Sequence, residues 1–172
     1  MEVEPLPPWA SIGRMFEDNA ARFGDAPAIV DGDIELSYAA LLSAARAAAK
    51  SLLAAGIGRG DLVAFWAPNS WRWAVMAHAA WLVGGVIVPI SSRLRVLEAG
   101  PILERTGAAL LFTVAECAGT RFIDGLRGAY GAGLEGLPGL RRLVRLDIEA
   151  DGSPPPNPPP SRGRALIRVP PP

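Results

Sequence analysis

The chain has 172 residues, of which half are apolar, and its formal net charge is zero. This length and composition predict one domain with a sizeable apolar core and exclude global disorder. The balanced charge gives no electrostatic reason for binding nucleic acid or an anionic membrane, so neither is expected as a partner. The single cysteine, Cys117, excludes a disulfide within the chain. Together with the acidic start Met1–Pro5, which is unlike a signal peptide, it favours a cytoplasmic location.

One helix and one hairpin are predicted for the N-terminal segment. Ser11 is suited to cap a helix that ends at Gly24, because its hydroxyl can accept a hydrogen bond from a first-turn N–H. A β-hairpin is predicted over 28–36, because Asp31-Gly32-Asp33 favours the positive backbone angles of a tight turn. The apolar face predicted for the helix consists of Ile12, Met15, Phe16 and Ala20.

A long alanine-rich helix is predicted next. Ser37 caps it, and Gly56 ends it. Arg46 and Lys50 lie one helical step apart on a face that is expected to be solvated. The packing stripe predicted for this helix consists of Leu41, Ala45, Ala48 and Leu52.

The stretch 56–92 predicts a βαβ unit. Leu62–Trp66 is a short apolar run bounded by turn residues, which is typical of a buried strand. Ser70 is suited to cap the following helix, Gly84 to end it, and Val86–Val88 to form the next strand. Two such strands joined by one helix form a right-handed unit of a parallel sheet. One face of the predicted helix consists of Trp71, Val75, His78 and Leu82.

Two further strands are predicted downstream. Val96–Thr106 has a helical pattern, but Pro101 removes an interior hydrogen bond, so we expect a kink or a late start. Ala109–Thr113 is predicted as the third parallel strand, and Leu143–Leu146 as a short last one. A helix is predicted over 120–128, and a glycine-rich loop follows it.

Five motifs stand in a fixed order between residues 36 and 94. They are Leu36-Ser37-Tyr38-Ala39-Ala40-Leu41, Gly58-Arg59-Gly60-Asp61-Leu62-Val63-Ala64, Pro68-Asn69-Ser70, Gly84-Gly85-Val86-Ile87-Val88-Pro89-Ile90 and Ser91-Ser92-Arg93-Leu94. Taken together, they resemble the N-terminal region of AMP-forming acyl-CoA synthetases, which belong to the adenylate-forming superfamily. The resemblance covers about Ile12 to Leu146. Ala40 replaces the usual Glu of the first motif, and Ser91-Ser92 replaces the usual Asn-Thr of the last.

The resemblance implies an α/β fold, a mostly parallel sheet with flanking helices, and an ATP-dependent ligase reaction. In that reaction ATP and Mg²⁺ activate a carboxylic acid to an acyl-adenylate and pyrophosphate, and coenzyme A then takes the acyl group. Segments 91–105 and 111–119 look most similar to bacterial fatty-acid or steroid-side-chain ligases. The family's phosphate loop, Thr-Ser-Gly-Thr-Thr-Gly-x-Pro-Lys-Gly, and its C-terminal catalytic lysine do not occur in this sequence. The chain is therefore expected to be a catalytically incomplete fragment.

No residue is assigned a catalytic, cofactor-binding or metal-binding role. His78 could serve as a general base, but its place on an apolar helix face favours a buried structural role. Cys117 has no basic neighbour to lower its pKa, so an inert thiol is predicted. The glycines within 56–60 and 84–85 precede strands, whereas phosphate loops follow strands, so ordinary turns are predicted.

The composition changes near the end of the chain. Segment 151–172 contains nine of the 17 prolines, so an extended and disordered tail is predicted. We interpret this tail as non-homologous sequence that arises from a frameshift or truncation. The alternative is a non-enzymatic α/β interaction module whose polyproline tail binds an SH3-type groove. The predicted boundaries are 1–10 for a flexible N-terminus, 11–148 for an α/β subdomain and 149–172 for the tail.

The uncharged stretch Trp73–Ser92 is long enough to span a bilayer about 30 Å thick. Gly84-Gly85 and Pro89 interrupt it, and His78 would lie in hydrocarbon without a partner. A buried helix and a buried strand are therefore predicted instead of a membrane span.

The tryptophans predict a surface property. In a complete family enzyme this subdomain would pack on a second, similar one, so we expect part of that interface to be exposed in this chain. The five tryptophans are Trp9, Trp66, Trp71, Trp73 and Trp81. They are expected to contribute to an exposed apolar patch, which predicts self-association.

Overall fold

The computed structural model describes residues 9–147, which form five helices and eight strands. Residues 1–8 and 148–172 lie outside the described residues, so the predictions for the N-terminus and the proline-rich tail stay predictions. The helices are α1 (Ile12–Phe23), α2 (Tyr38–Ala54), α3 (Trp71–Leu82), α4 (Val96–Thr106) and α5 (Phe122–Tyr130). The strands are β1 (Pro27–Asp31), β2 (Ile34–Ser37), β3 (Leu62–Trp66), β4 (Val86–Ile90), β5 (Leu110–Thr113), β6 (Glu116–Cys117), β7 (Thr120–Arg121) and β8 (Arg142–Arg145).

A four-stranded parallel sheet forms the centre of the fold, with the strand order β4-β3-β5-β8. The central strand β3 is paired on both edges, and its residues from Val63 to Trp66 are all buried. A parallel strand that is covered on both faces requires a continuous apolar sequence, which this strand has. The structure confirms the predicted βαβ unit and the third parallel strand.

Helices cover both faces of this sheet. The Phe65 ring packs on Trp73 of α3 with ring centroids 4.9 Å apart, while the Trp66 ring stacks on Phe122 of α5 at 4.1 Å. Because consecutive residues of a strand point to opposite faces, α3 and α5 lie on opposite sides of the sheet. Helices α1 and α2 pack with α3, and α4 packs with α5. The predicted α/β architecture is confirmed.

The predicted helix caps and turns are present. The hydroxyls of Ser11, Ser37 and Ser70 each accept a hydrogen bond from the backbone N–H three residues later, at 3.1 Å. Such caps contribute about 1 kcal/mol each, because the first N–H groups of a helix have no partner within it. Strands β1 and β2 form the predicted antiparallel hairpin, and Gly32 in its turn has a φ of 59°.

The apolar face predicted for α1 is partly wrong. Ile12 is 46% exposed, whereas Gly13 is buried beside Phe16 and Ala20. A Cβ atom added to Gly13 would lie 3.2 Å from the carbonyl oxygen of Trp81. The close crossing of α1 and α3 thus favours a residue without a side chain, and apolar periodicity does not detect this constraint.

The prediction of a late start for α4 is wrong. This helix begins at Val96 and runs through Pro101 to Thr106. The proline removes the N–H that would pair with the carbonyl of Leu97, one helical step earlier. Leu97 is exposed, so water can bind its carbonyl oxygen instead. The β6–β7 hairpin was not predicted, and because it precedes α5 that helix begins at Phe122.

The tryptophans do not form the expected exposed patch. Trp66 and Trp71 are buried, Trp73 and Trp81 are half-buried, and Trp9 is 38% exposed. Except for Trp9, the tryptophans belong to the core or pack against it, so they do not form the patch that was expected to drive self-association. The large apolar residues that are exposed within 9–147 are Trp9, Ile12, Phe23, Val30, Leu53, Val86 and Leu97. Self-association stays a prediction.

Replacing Gly139 by alanine is expected to destabilise the fold. A Cβ atom there would lie 2.8–2.9 Å from backbone atoms of Gly107, which cannot move aside as a flexible side chain can. We expect the free energy of unfolding to fall by about 1–3 kcal/mol, as for other overpacked sites. Gly128→Ala is the matched control, since nothing lies within 4 Å of its Cβ position in α5. Urea unfolding in which both variants lose equal stability would contradict this packing argument.

Candidate functional site

The carboxyl edge of the parallel sheet is where the topology predicts a site. From β3 the chain proceeds to β4 on one side, and it later places β5 on the other side of β3. The loops after β3 and β5 therefore diverge, and in open parallel sheets ligands bind in the crevice at such a reversal. The candidate site lies beyond Trp66 and Thr113, the last residues of these two strands.

A buried hydrogen bond joins the two strand ends. The Thr113 hydroxyl donates to the carbonyl oxygen of Trp66 at 2.9 Å, and both residues are fully buried. A buried hydroxyl without a partner costs about 1–3 kcal/mol, so this bond fixes the rotamer of Thr113. The stacking of Trp66 on Phe122, with the ring planes 1° apart, holds the other side of the strand end. The floor of the crevice is therefore rigid.

The N-terminus of α3 faces this edge and already holds a carboxylate. The backbone N–H of Trp71 donates to Oδ2 of Asp31 at 2.8 Å, and Ser70 caps the N–H of Trp73. A helix N-terminus attracts anions through its free N–H groups and its dipole. Here the β1–β2 hairpin supplies the anion from within the chain. Ser70 accordingly forms the cap that was predicted.

A partly buried arginine lies next to this carboxylate. The guanidinium carbon of Arg72 lies 4.3 Å from the centroid of the Trp71 ring, a cation–π contact. Burial lowers the pKa of Arg72, while the carboxylates of Asp147 and Asp31 oppose that shift. The site therefore combines the Arg72 cation with two carboxylates, one of which, Asp147, also pairs with Arg145 at 3.2 Å.

Three buried donors at this edge have no hydrogen-bond partner among residues 9–147. They are Nη1 of Arg72 and the indole N–H groups of Trp66 and Trp71. Buried donors without acceptors are uncommon, so these three groups distinguish this edge from the rest of the described structure. The sequence analysis did not predict a site role for any of these three residues. The one sequence signal for them is their position at the end of a central strand or at the start of the helix that follows it. The contact of Trp71 with Asp31 has no such signal, because the two residues lie 40 positions apart.

His78 lies in the middle of α3, away from the strand ends. Its Nδ1 is 2.8 Å from the carbonyl oxygen of Ala74, and its ring packs on Phe16 and Trp81. Burial lowers the pKa of His78, and the bond to Ala74 opposes that shift. These contacts fit the structural role predicted for this residue.

Stability is expected to fall on acidification because of His78. Its pKa is lowered by folding, so the unfolded chain, with an ordinary value near 6.5, binds the proton more readily. The stabilisation is present above about pH 6.5 and is lost as the pH falls through the folded-state pKa. His78 is the only histidine in the chain, so His78→Gln should remove most of the dependence between about pH 7.5 and 5.5. Stability is measured as the urea midpoint at a series of pH values. Midpoints that change with pH equally steeply in the unmodified protein and in His78→Gln would contradict this prediction.

The glycine-rich turns lie at the opposite, amino edge of the sheet. Gly56, Gly60 and Gly84 have positive φ angles and serve as turn residues, as predicted. Asp61 accepts the N–H of Gly58 at 2.8 Å and forms an ion pair with Arg141. The guanidinium of Arg141 also donates to the carbonyl of Gly56 at 3.1 Å. This turn is held by the chain's own groups.

The other candidate side chains lie in the β6–β7 hairpin, which follows β5, and on α2. Cys117 lies half-buried in the β6–β7 hairpin, and Lys50 is exposed on α2. Within 9–147 no three metal-ligating side chains come together. In the same part of the chain, no helix combines the length and apolar character that crossing a bilayer requires. The region 73–92 is instead α3 followed by β4, as predicted.

Removing the carboxylate of Asp31 should weaken the start of α3. Asp31→Asn loses the charge that faces the helix dipole, and we expect the free energy of unfolding to fall by about 1 kcal/mol. Glu35→Gln, on the neighbouring strand of the same hairpin and exposed, is the control and should change stability by less than about 0.5 kcal/mol. Urea unfolding measures both, and equal effects would show that Asp31 does not act through α3.

Known proteins resemble this chain over most of its length. The family described as AMP-binding enzyme matches residues 16–152. A methyl-dioxo-octahydro-indenyl propanoyl:CoA ligase of Mycobacterium tuberculosis is 36% identical over 127 residues, which cover 74% of this chain and 24% of that protein. The mitochondrial medium-chain acyl-CoA ligase ACSF2 of Homo sapiens is 30% identical over 105 residues, covering 59% of this chain and 17% of that protein. The chain spans a quarter or less of the length of these two relatives.

Solved structures share the fold. A fatty acyl CoA synthetase of Mycobacterium tuberculosis matches with a TM-score of 0.69 and 27% identity, over 80% of this chain and 26% of that one. The N-terminal domain of FACL13 from the same organism matches with the same score and identity, over 81% of this chain and 34% of that one. The chain therefore belongs to the AMP-binding enzyme family, with the fold found in the N-terminal region of adenylate-forming enzymes.

Proposed function

We propose that residues 11–148 are the N-terminal subdomain of an AMP-forming acyl-CoA synthetase. The complete enzyme would use ATP and Mg²⁺ to convert a carboxylic acid to an acyl-adenylate and pyrophosphate, and would then form a thioester with coenzyme A. One observation carries this proposal. The parallel sheet and the diverging loops after β3 and β5 all lie inside the segment 16–152 that matches the family. The names of the relatives support a hydrophobic carboxylic acid as substrate, either a medium-chain acid or a ring-bearing propanoate.

The described residues do not fit a nucleoside triphosphate. Binding a triphosphate requires a loop of backbone N–H groups with a basic side chain, placed after a strand and before a helix. The turn from β3 to α3 has that position, but Asp31 already pairs with the Trp71 N–H there. A second anion at this helix end would be repelled by the carboxylate.

The role proposed for this subdomain is therefore to support the active site. Thr113 and Trp66 fix the strand ends from which the crevice loops leave. Rigid strand ends position loops to within the small distances that catalysis tolerates. Adenylation by this chain alone is not expected. A cytoplasmic location and self-association through exposed apolar residues belong to the same proposal.

A chimeric ligase tests the proposal. Residues 16–147 would replace the matched segment of the Mycobacterium tuberculosis propanoyl:CoA ligase, and acid-dependent ATP–pyrophosphate exchange would be measured. We expect an exchange rate within about tenfold of the parent, because replacing one subdomain by another of the same fold should cost less than about 1.4 kcal/mol in the transition state. The present chain, assayed in parallel, should show no acid-dependent exchange.

Two threonine variants of the chimera make the test specific. Thr113→Val removes the bond across the strand ends and should lower exchange more than about tenfold if the crevice floor positions the reacting loops. Thr106→Val removes a comparable hydroxyl bond, to Ile102 within α4, and should leave exchange within about twofold. A folded chimera without exchange, or exchange by the present chain alone, would overturn the proposal.

A further inference from the structure

The outer edge of β8 presents backbone groups without a strand partner among residues 9–147. The N–H groups of Arg142 and Leu146 donate to carbonyl oxygens on the β5 side, at 3.1 Å and 2.7 Å. Successive residues of a strand turn their peptide groups to opposite edges, so Leu143 and Arg145 turn theirs away from β5. In the part of the chain that the structure describes, β8 ends the sheet order. Such an edge is a template for pairing with another strand.

The opposite outer strand, β4, is less suited to such pairing. The N–H of Val86 donates to the carbonyl of Asp61 at 2.9 Å, towards β3, so Ile87 and Pro89 turn their peptide groups outward. Proline has no N–H, and at an outward position it protects an edge strand from pairing. Strand β8 contains no proline. Its edge therefore offers both donors and acceptors.

The sequence around β8 is complementary to itself. Antiparallel pairing of two copies about a two-fold axis at Val144 gives four kinds of cross-strand pair: Val144 with Val144, Leu143 with Arg145, Arg142 with Leu146, and Arg141 with Asp147. Like charges that lie directly opposite each other destabilise a strand pair, whereas opposite charges stabilise it. In this register no two arginines of segment 141–147 lie opposite each other, and the outermost pair has opposite charges.

The other positions of the axis within β8 lack this complementarity. An axis at Leu143 places Arg141 opposite Arg145, and an axis at Arg145 or at Arg142 places that arginine opposite its own copy. Each of these registers opposes like charges on neighbouring strands. Of the four residues of β8, only Val144 therefore provides an axis without an arginine pair.

We propose that two copies of this chain associate through the outer edges of β8, antiparallel about a two-fold axis at Val144. The outward peptide groups of Leu143 and Arg145 pair across the axis and join the two four-stranded sheets into one. Val144 continues the cross-strand row of Phe65 and Phe112, and its 7% exposed surface packs on the second copy.

This contact differs from self-association through exposed apolar side chains, and it does not depend on ligase activity. Because β8 has four residues, the paired surface is small, so we expect a weak dimer with a dissociation constant above about 10 µM.

Sedimentation equilibrium of the full chain, from roughly micromolar to roughly millimolar concentration, tests the proposal. The average mass should rise towards that of a dimer. Leu143→Pro removes an outward donor but no bond to β5, and should weaken association at least about tenfold. Ile87→Pro is the matched control, because it makes the same change at an outward position of β4, and it should leave association unchanged. Slow amide exchange at Phe112 in the sheet centre reports whether each variant remains folded.

A charge reversal tests the register. Asp147→Arg places arginine opposite Arg141 in both outermost pairs and should weaken association at least about fivefold. Asp33→Arg, in the exposed turn between β1 and β2, changes the net charge by the same amount and should have no effect. Equal effects of these two variants would overturn the register.

Three further results would overturn the proposal. The first is a monomer over the whole concentration range, and the second is equal weakening by Leu143→Pro and Ile87→Pro. The third is protection of the Leu143 and Arg145 amides from exchange that does not depend on protein concentration, which would assign the edge to another part of the same chain. Association that Leu143→Pro leaves intact would assign it to the exposed apolar residues instead.

Discussion

The burial of β3 on both faces and both edges is the constraint on which the rest of this structure depends. A strand in that position must be apolar throughout, and its parallel neighbours must be reached by crossovers that cover the sheet. The alternating contacts of Phe65 with α3 and Trp66 with α5 show how one short run organises two helical layers. Close packing then selects residues elsewhere, such as Gly13 where α1 crosses α3 and Gly139 where the chain passes Gly107.

The same topology creates the crevice at the carboxyl edge, and the chain occupies part of it with its own groups. The Asp31 carboxylate pairs with the N-terminus of α3, and Arg72 lies against Trp71 near that charge. An internal anion at a helix N-terminus stabilises the helix and disfavours a bound phosphate at that place. The edge is therefore better suited to holding loops in position than to binding nucleotide, which agrees with a supporting role in an AMP-binding enzyme.

The two outer strands of the parallel sheet, β4 and β8, differ in the backbone groups that their outer edges present. Pro89 removes a donor on one side, while Leu143 and Arg145 present complete peptide groups on the other.

The sequence by itself determined the elements of this fold and their order. Periodicity and local hydrogen bonding act over a few residues, and both can be seen in the sequence. They account for strand β3, the serine N-caps, the glycines that follow the helices and the packing face of α2. The family, too, could be identified from motifs between 36 and 94. Only the tertiary structure decided which apolar residues are covered, as Ile12 and the tryptophans show, because burial depends on partners distant in sequence. It also decided the pairing of Asp31 with α3, since a contact across 40 residues leaves no local pattern.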